Sequence, residues 1–408
     1  MKYDKNFIEK IERQYGLPCY VFDEDAFREN YCDLRNTLKR YYSKYEIAYS
    51  YKTNYAPAIC KIVKEMGGYA EVVSDMEYAI AKKIGYESSM IVYNGPFKGE
   101  LLEEHLLNGG IVNIDNMKEI RRIIAFSEKV EKCFNVGIRV NINVGQSFVS
   151  RFGIDADSDD LKYAVELINN SKYLKLIGLH CHIGQARNLV AWKSRTEQIL
   201  QLADKYIEGT PKYLDLGSGM FGKMDEVMAS QFTSAIPSYE DYAEVTAKIV
   251  YDHYRNLPEE ERPILFTEPG TTVDNKYVDL IAQIACLKKI KGKSFGVINA
   301  SIHNLGDVCT SVSLPIEVVH YSDCSNRDFD AHDFVGYTCL EQDVAYSNYN
   351  KGIADSDYLI FGNVGGYSNV DKPPFILPQC AMIGVSNGES YLIKRRETVE
   401  DILLTYIV

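Results

Sequence analysis

The feature that most constrains this chain is a repeated alternation between about residues 45 and 270. Short runs rich in β-branched and aromatic residues fall at 47–51, 70–73, 90–93, 111–114, 136–141, 176–183, 213–216 and 264–267. Between them lie segments of helical period, such as 56–66, 75–84, 116–130 and 239–254. A strand followed by a helix and then another strand requires parallel strands joined by helical crossovers. Eight such units suit a closed (β/α)8 barrel. The rival is an open doubly wound sheet, but no G-x-G-x-x-G follows the first strand.

After residue 270 the helical period fades and β-branched runs dominate, at 277–286, 295–299, 316–321, 358–361 and 381–385. The stretch Val385-Ser386-Asn387-Gly388-Glu389-Ser390-Tyr391 is a hairpin signal, because Asn-Gly accepts the positive φ angles of a type I′ turn. The opening run Gly16-Leu17-Pro18-Cys19-Tyr20-Val21-Phe22-Asp23 is also strand-like and can pair into the later sheet. The expected organisation is therefore an α/β chain. A barrel spans 25–270, and 1–24 joins 271–408 in an antiparallel β domain.

Composition excludes several classes. A net charge of −12 with no basic stripe disfavours nucleic acid, which demands clustered Lys and Arg. No apolar run reaches membrane-span length, and the polar start of the chain is unlike a secretory signal. The ten Cys show no CxxC pairing and no metal-type His spacing. They read as reduced thiols of a cytoplasmic protein with no metal site.

Active sites of such barrels form at the C-terminal ends of the strands. Here the strand ends carry Lys52, then Glu71 with Ser74 and Glu77 after it, Asn94, Arg139 with Asn141, His180 with His182, the turn Gly217-Ser218-Gly219, and Glu268. Of His180 and His182, one is expected to face the interior and the other to be a structural histidine. A buried Lys can lose its proton and form an imine with a carbonyl. Backbone N–H groups of a Gly-rich turn hold a phosphate. A carboxylate facing a pyridine nitrogen keeps it protonated, and an imidazole stacks on an aromatic ring. Lys52, Gly217–Gly219, Glu268 and His182 match these needs, which are those of pyridoxal 5′-phosphate.

These motifs, in this order, resemble the pyridoxal-phosphate decarboxylases of the alanine-racemase-like fold, a group that includes diaminopimelate, ornithine and arginine decarboxylases. The resemblance runs through Tyr15-Gly16-Leu17-Pro18-Cys19-Tyr20-Val21, Tyr49-Ser50-Tyr51-Lys52-Thr53-Asn54, Gly178-Leu179-His180-Cys181-His182-Ile183-Gly184, Leu214-Asp215-Leu216-Gly217-Ser218-Gly219 and Thr267-Glu268-Pro269-Gly270. It continues into Gly336-Tyr337-Thr338-Cys339 and Gly365-Gly366-Tyr367. It implies that Lys52 carries the cofactor as a Schiff base, His182 stacks on the ring and Glu268 faces the pyridine nitrogen. Gly217, Ser218, Gly219 and Tyr367 would contact the phosphate, with Glu71 and Arg139 supporting the ring. Cys339 would return a proton after carbon dioxide leaves. In the family that Cys comes from the partner subunit, which implies a homodimer with shared sites acting on an amino acid as small-molecule substrate.

The resemblance breaks where substrate is chosen. The family's Glu-Pro-Gly-Arg is here Glu268-Pro269-Gly270-Thr271, and Leu314 stands before Pro315 in place of a second Arg. Leu340 follows Cys339 in place of an acidic residue, with Glu341 one position later, and Gln185 replaces a Ser. Thr cannot grip a carboxylate as a guanidinium does. The expected function is thus an amino-acid decarboxylase with an altered substrate pocket, Thr271, Leu340 and Glu341 lining it. A racemase or epimerase on the same scaffold is the alternative, disfavoured by Glu268. A non-catalytic, partner-binding relative is the third.

Overall fold

The computed structural model describes residues 3–322, 327–371 and 374–407; Cys324, one of the ten cysteines, lies outside them. The chain divides into two units, one of residues 30–221 and 235–272, the other of 1–29, 222–234 and 273–408. Among the described residues no helix is long and apolar enough to cross a membrane.

The chain enters through β1 (Cys19–Asp23), a strand of the sheet unit, and then builds the barrel. The barrel strands are β2 (Tyr45–Ser50), β3 (Tyr69–Val72), β4 (Ile91–Tyr93), β5 (Ile111–Ile114) and β6 (Phe134–Asn141), followed, past a short β7 (Ile154–Asp155), by β8 (Leu174–His180), β9 (Tyr213–Asp215) and β10 (Ile264–Thr267). Each pairs in parallel with its neighbours, and β10 closes on β2, so the ring has eight strands with β7 appended to β6. The eight-run alternation is this barrel.

The turns leaving the strands are fixed locally. Ser74 caps the helix Asp75–Ile84 by accepting from Glu77 N (3.2 Å), while Glu77 accepts from Val73 N at 2.7 Å. Asn116 and Glu119 repeat the pattern after β5, at 3.1 and 3.0 Å. Each pair satisfies donors at a helix start that would otherwise be orphaned.

Deep in the barrel, Ala48, Val92, Tyr213 and Phe266 form an apolar layer. Tyr213 fits because β6 and β8 carry Gly137 and Gly178 beside it. A Cβ on Gly137 would come to 2.0 Å from the Tyr213 hydroxyl, and one on Gly178 to 2.4 Å from its ring. Above this layer the interior turns polar. The Tyr213 hydroxyl donates to Asn113 Oδ1 (2.7 Å), and Asn113 donates to Asn94 Oδ1 (2.9 Å).

The second unit is a nine-stranded sheet. It adds β11 (Val278–Ile290), β12 (Lys293–Ile298), β13 (Ile316–Val319), β14 (His332–Val335), β15 (Val344–Tyr349), β16 (Tyr358–Phe361), β17 (Ala381–Ser386) and β18 (Glu389–Lys394). The main path is β15-β14-β12-β11-β1-β17-β18, with β16 also on β11 and β13 on β16. The opening strand does join this sheet, and Asn387 and Gly388 (φ 51° and 78°) make the two-residue turn between β17 and β18. The expectation of a purely antiparallel domain is corrected: β1–β17 and β12–β14 are parallel. Only a short hairpin forces antiparallel pairing, and both of these pairs are joined by long stretches of chain. One face packs Ile8, Ile11, Val21, Ile281, Ile360 and Ile383 into a core.

Candidate active site at the mouth of the barrel

The C-terminal ends of the barrel strands bring a chain of charged and polar groups together. Lys52 follows β2, and its Nζ donates to Ser50 Oγ (2.7 Å) and Glu71 Oε2 (2.6 Å). Ser50 Oγ also donates to that oxygen, at 2.6 Å. Glu71 is buried, whereas the Lys52 side chain keeps 29% of its surface. Asn94, at the end of β4, donates through Nδ2 to Glu71 Oε1 (3.3 Å) and to Glu268 Oε1. One carboxamide therefore bridges the carboxylate beside Lys52 to the carboxylate that follows β10.

Glu268 gathers both histidines of the strand-eight exit. His180 Nε2 lies 3.2 Å from Oε1 and His182 Nδ1 lies 3.1 Å from Oε2. Both histidines thus face the interior, against the expectation that only one would. Residues two apart on a strand share a face, so the pair was always bound to point the same way. Asp215 adds a third ligand-type atom, all three from His180, Asp215 and Glu268 lying within 4.8 Å of one another.

The charges sort themselves by environment. Burial works against a charge on Glu268, but His180, His182 and Lys52 outweigh it and hold the carboxyl well below the usual range. Asp215 is pushed well above its usual range by burial and by the Glu268 charge, so it keeps its proton. Burial pushes both imidazoles down against the pull of Glu268, His182 to about 4, so His182 is neutral at neutral pH. Glu268 is the carboxylate of the pair and Asp215 the carboxylic acid.

The Gly217–Gly219 turn is held against the exit of β8. Gly217 and Gly219 have φ of 60° and 104°. A Cβ on Gly217 would meet Cys181 O at 2.5 Å, and one on Gly219 would meet Ile183 O at 2.6 Å. Glu268 N donates to Gly217 O (2.9 Å) and Gly217 N to Asp215 Oδ1 (2.9 Å), while Ser218 N lies 3.3 Å from His182 Nδ1, whose proton faces Glu268. Among the described residues, the N–H groups of Gly184 and Gly219 meet no protein acceptor.

The sequence-expected residues divide between the two units. Lys52, Glu71, His182, Gly217, Ser218, Gly219 and Glu268 converge at the barrel mouth. Arg139, on β6, lies beside them with its guanidinium 3.5 Å from Asp115 and 4.6 Å above the Phe152 ring. Thr271 is half-buried. In the sheet unit, Cys339, Leu340 and Glu341 are not buried and occupy the β14–β15 connection. That connection is organised by Asp343, which accepts from Thr338 Oγ1 (2.6 Å) and Ile302 N (2.8 Å). Tyr367, at φ 56°, and Leu340 line a cavity of about 440 Å³ in that unit with His303 and Cys309. Leu314 is buried.

Sequence reasoning gave no role to Ser50, Asn94, Asn113, Asp215 or Arg195. The signal was present for two of them. Asn113 sits inside the apolar run of β5, and Asp215 inside the apolar run of β9, where a polar side chain must find a partner.

These features fit a phosphorylated pyridine aldehyde: a Lys with a carboxylate at hand, two N–H groups without a protein acceptor beside a glycine turn whose Gly217 and Gly219 admit no Cβ, and a buried carboxylate kept ionised. Comparison with known proteins agrees. Residues 27–274 match the model of the pyridoxal-dependent decarboxylase pyridoxal-binding domain. The diaminopimelate decarboxylase of Aquifex aeolicus is 24% identical, covering 97% of this chain and 93% of its own. That of Neisseria meningitidis is 26% identical over 96% and 93%. Among solved structures, diaminopimelate decarboxylase from M. jannaschii in complex with L-lysine superposes with a TM-score of 0.84 at 23% identity, covering 98% and 94%. Lysine decarboxylase from Selenomonas ruminantium superposes with a TM-score of 0.73 at 17% identity, covering 94% and 96%. With the family model spanning the whole barrel that carries Lys52, the glycine cradle and Glu268, the chain belongs to the pyridoxal-dependent decarboxylases.

Proposed function

We propose that this chain is a pyridoxal-phosphate-dependent decarboxylase of an amino acid, related to diaminopimelate decarboxylase but with an altered side-chain pocket. The observation that carries the reading is Glu268: a buried carboxylate held ionised by two imidazoles at the mouth where Lys52 ends. Such a carboxylate keeps a proton on a pyridine nitrogen opposite it, and that is what decarboxylation demands. Bound pyridoxal phosphate supplies the electron sink for the pair left when carbon dioxide departs.

The chain's own groups divide the remaining work. Lys52 is the covalent anchor, and Glu71 and Ser50 hold the ammonium proton it must lose to act as a nucleophile. Gly217, Ser218, Gly219 and Tyr367 hold the phosphate. Neutral His182 offers an uncharged face to the ring, fixed through its Nδ1, and Arg139 supports the same side. Cys339, reaching in from a partner subunit, returns the proton. This last role makes the working unit a homodimer. The nine described cysteines are all free, which supports a cytoplasmic setting.

Thr271, Leu340 and Glu341 line the substrate side. Where the relatives of this fold were expected to offer Arg, this chain offers Thr271 and Leu314, so a distal carboxylate on the substrate lacks its guanidinium. The functional division we propose is a cofactor barrel over 25–270 and a β domain from 1–24 and 271–408, with 25–29 and 222–234 clustering with the sheet unit.

The test is carbon dioxide release from a panel of amino acids by the purified chain with added pyridoxal phosphate. Release with at least one amino acid supports the reading. Wash-in of solvent deuterium at the α-carbon with the carboxylate retained points to a racemase instead. A chain that stays colourless with added cofactor sinks both.

A further inference from the structure

The helix Leu189–Tyr206 buries Ala191, Trp192, Thr196, Ile199, Leu200 and Ala203 along one face, and in the middle of that apolar stripe stands Arg195. Its side chain is completely buried. Placing a guanidinium there is costly unless it is paired. Among the described residues it forms no ion pair; its partners are backbone carbonyls. Nη1 donates to Leu216 O (2.9 Å) and Ser218 O (2.8 Å), and Nη2 to Ile183 O (2.8 Å). The guanidinium also lies 4.1 Å from the centroid of Trp192, the chain's one tryptophan.

Those three carbonyls belong to the two segments that face each other at the cradle, 181–184 and 216–219. In a trans peptide the C=O and N–H point in opposite directions. Turning Ser218 O and Ile183 O towards Arg195 therefore turns the N–H groups of Gly219 and Gly184 away from it. Neither of these two donors meets a protein acceptor among the described residues. A buried cation with no carboxylate at ion-pair distance among the described residues thus stands behind two aligned donors.

We propose that Arg195 is the positioning residue of the phosphate subsite: it staples the strand-eight exit to the glycine turn, aims the Gly184 and Gly219 N–H groups at a phosphomonoester, and provides the buried positive charge that the dianion balances. This rests on the pyridoxal-phosphate reading above and deepens it. The role is selective by chemistry. A ligand bearing the dianion feels both the aimed donors and the charge, whereas the same ring without phosphate feels neither.

Trp192 is the reporter. The cofactor-stripped full chain is titrated with pyridoxal phosphate, pyridoxal and inorganic phosphate, following tryptophan emission, for the parent, Arg195→Met and Arg195→Lys. Truncating one partner of a buried charged pair costs roughly 30-fold or more in affinity. Arg195→Met is expected to lose that much for pyridoxal phosphate while pyridoxal binding stays within about twofold, because only the phosphorylated ligand carries the charge. Inorganic phosphate competes with the cofactor in the parent and not in Arg195→Met. Arg195→Lys keeps the charge but cannot span three carbonyls, so its loss falls between, and it serves if the Met variant does not fold. Equal loss for both ligands, or loss for neither, overturns the proposal. A parent chain that binds neither ligand overturns the cofactor reading itself, and this proposal with it.

Discussion

Replacing Asn94 by Leu probes the polar line through the barrel. Leu keeps the shape but has neither donor nor acceptor. The exchange removes the Nδ2 bonds to Glu71 (3.3 Å) and to Glu268, and strands Asn113 Nδ2, whose acceptor had been 2.9 Å away. A hydrogen bond to a charged group contributes about 1.5–3 kcal/mol, and leaving a buried amide unpaired costs about 1–3 kcal/mol. The long bond to Glu71 counts least, and the added apolar burial of Leu offsets about 1 kcal/mol. The net loss is therefore about 1.5–5 kcal/mol. In a unit of this size each kcal/mol moves the melting temperature by roughly 2–4 °C, so a fall of roughly 3–20 °C is expected. Differential scanning calorimetry of the cofactor-free chain measures it, and a fall under about 2 °C would refute the idea that this line stabilises the barrel. Asn94→Asp sharpens the point. A carboxyl placed between Glu71 and Glu268 has its folded pKa raised by burial and by two like charges. A raised folded pKa gives stability that is complete below the unfolded value, about 3.9, and is lost as pH rises. The Asp variant should match the parent near pH 4 and fall progressively below it towards pH 8, whereas a constant offset would contradict the electrostatic account.

Three further outcomes follow from the same geometry. Gly219→Ala forces a Cβ to 2.6 Å from Ile183 O at a φ of 104°, so it should abolish the visible absorbance given by added pyridoxal phosphate; retained absorbance counts against the cradle. His182 is held down to about 4 by burial, below its unfolded value of roughly 6.5, so the unfolded chain binds more protons between those values and stability must decline as pH falls through that window. His182→Gln should flatten this acid limb in thermal melts at stepped pH, and an unchanged limb would assign it elsewhere. Lys52→Ala and Cys339→Ala chains, each inactive alone, should regain about a quarter of parental activity when co-folded if a dimer shares its sites, since one site in four then combines two intact halves; no recovery argues for sites built within one chain.

The alternation of strand and helix made the barrel legible because period 2 and period 3.6 leave different marks in a sequence. The same logic read the Asn387-Gly388 turn. It could not give the directions of β1 against β17 or β12 against β14, because no short connection ties those strands together. At the site, Lys52, His182 and Glu268 were visible as chemistry at strand ends. Asn94 was visible only as a strand end: its bridging role depends on register between β3, β4 and β10, which single-strand patterns do not carry. Arg195 left a fainter mark, a cation on the buried stripe of a helix, and a long helix has many positions where an Arg can snorkel to solvent instead.

The fit of Tyr213 into the space opened by Gly137 and Gly178 has a consequence for how this sequence can change. Three positions on three adjacent strands are one packing choice. A methyl at either glycine is admissible only if the phenol at 213 shrinks, and a smaller side chain at 213 leaves a hole that only larger residues at 137 or 178 can fill. Over time these positions should covary as a block rather than drift singly. Because the same phenol anchors Asn113, and through it Asn94 and Glu268, a swap at the floor of the barrel is inherited at its mouth.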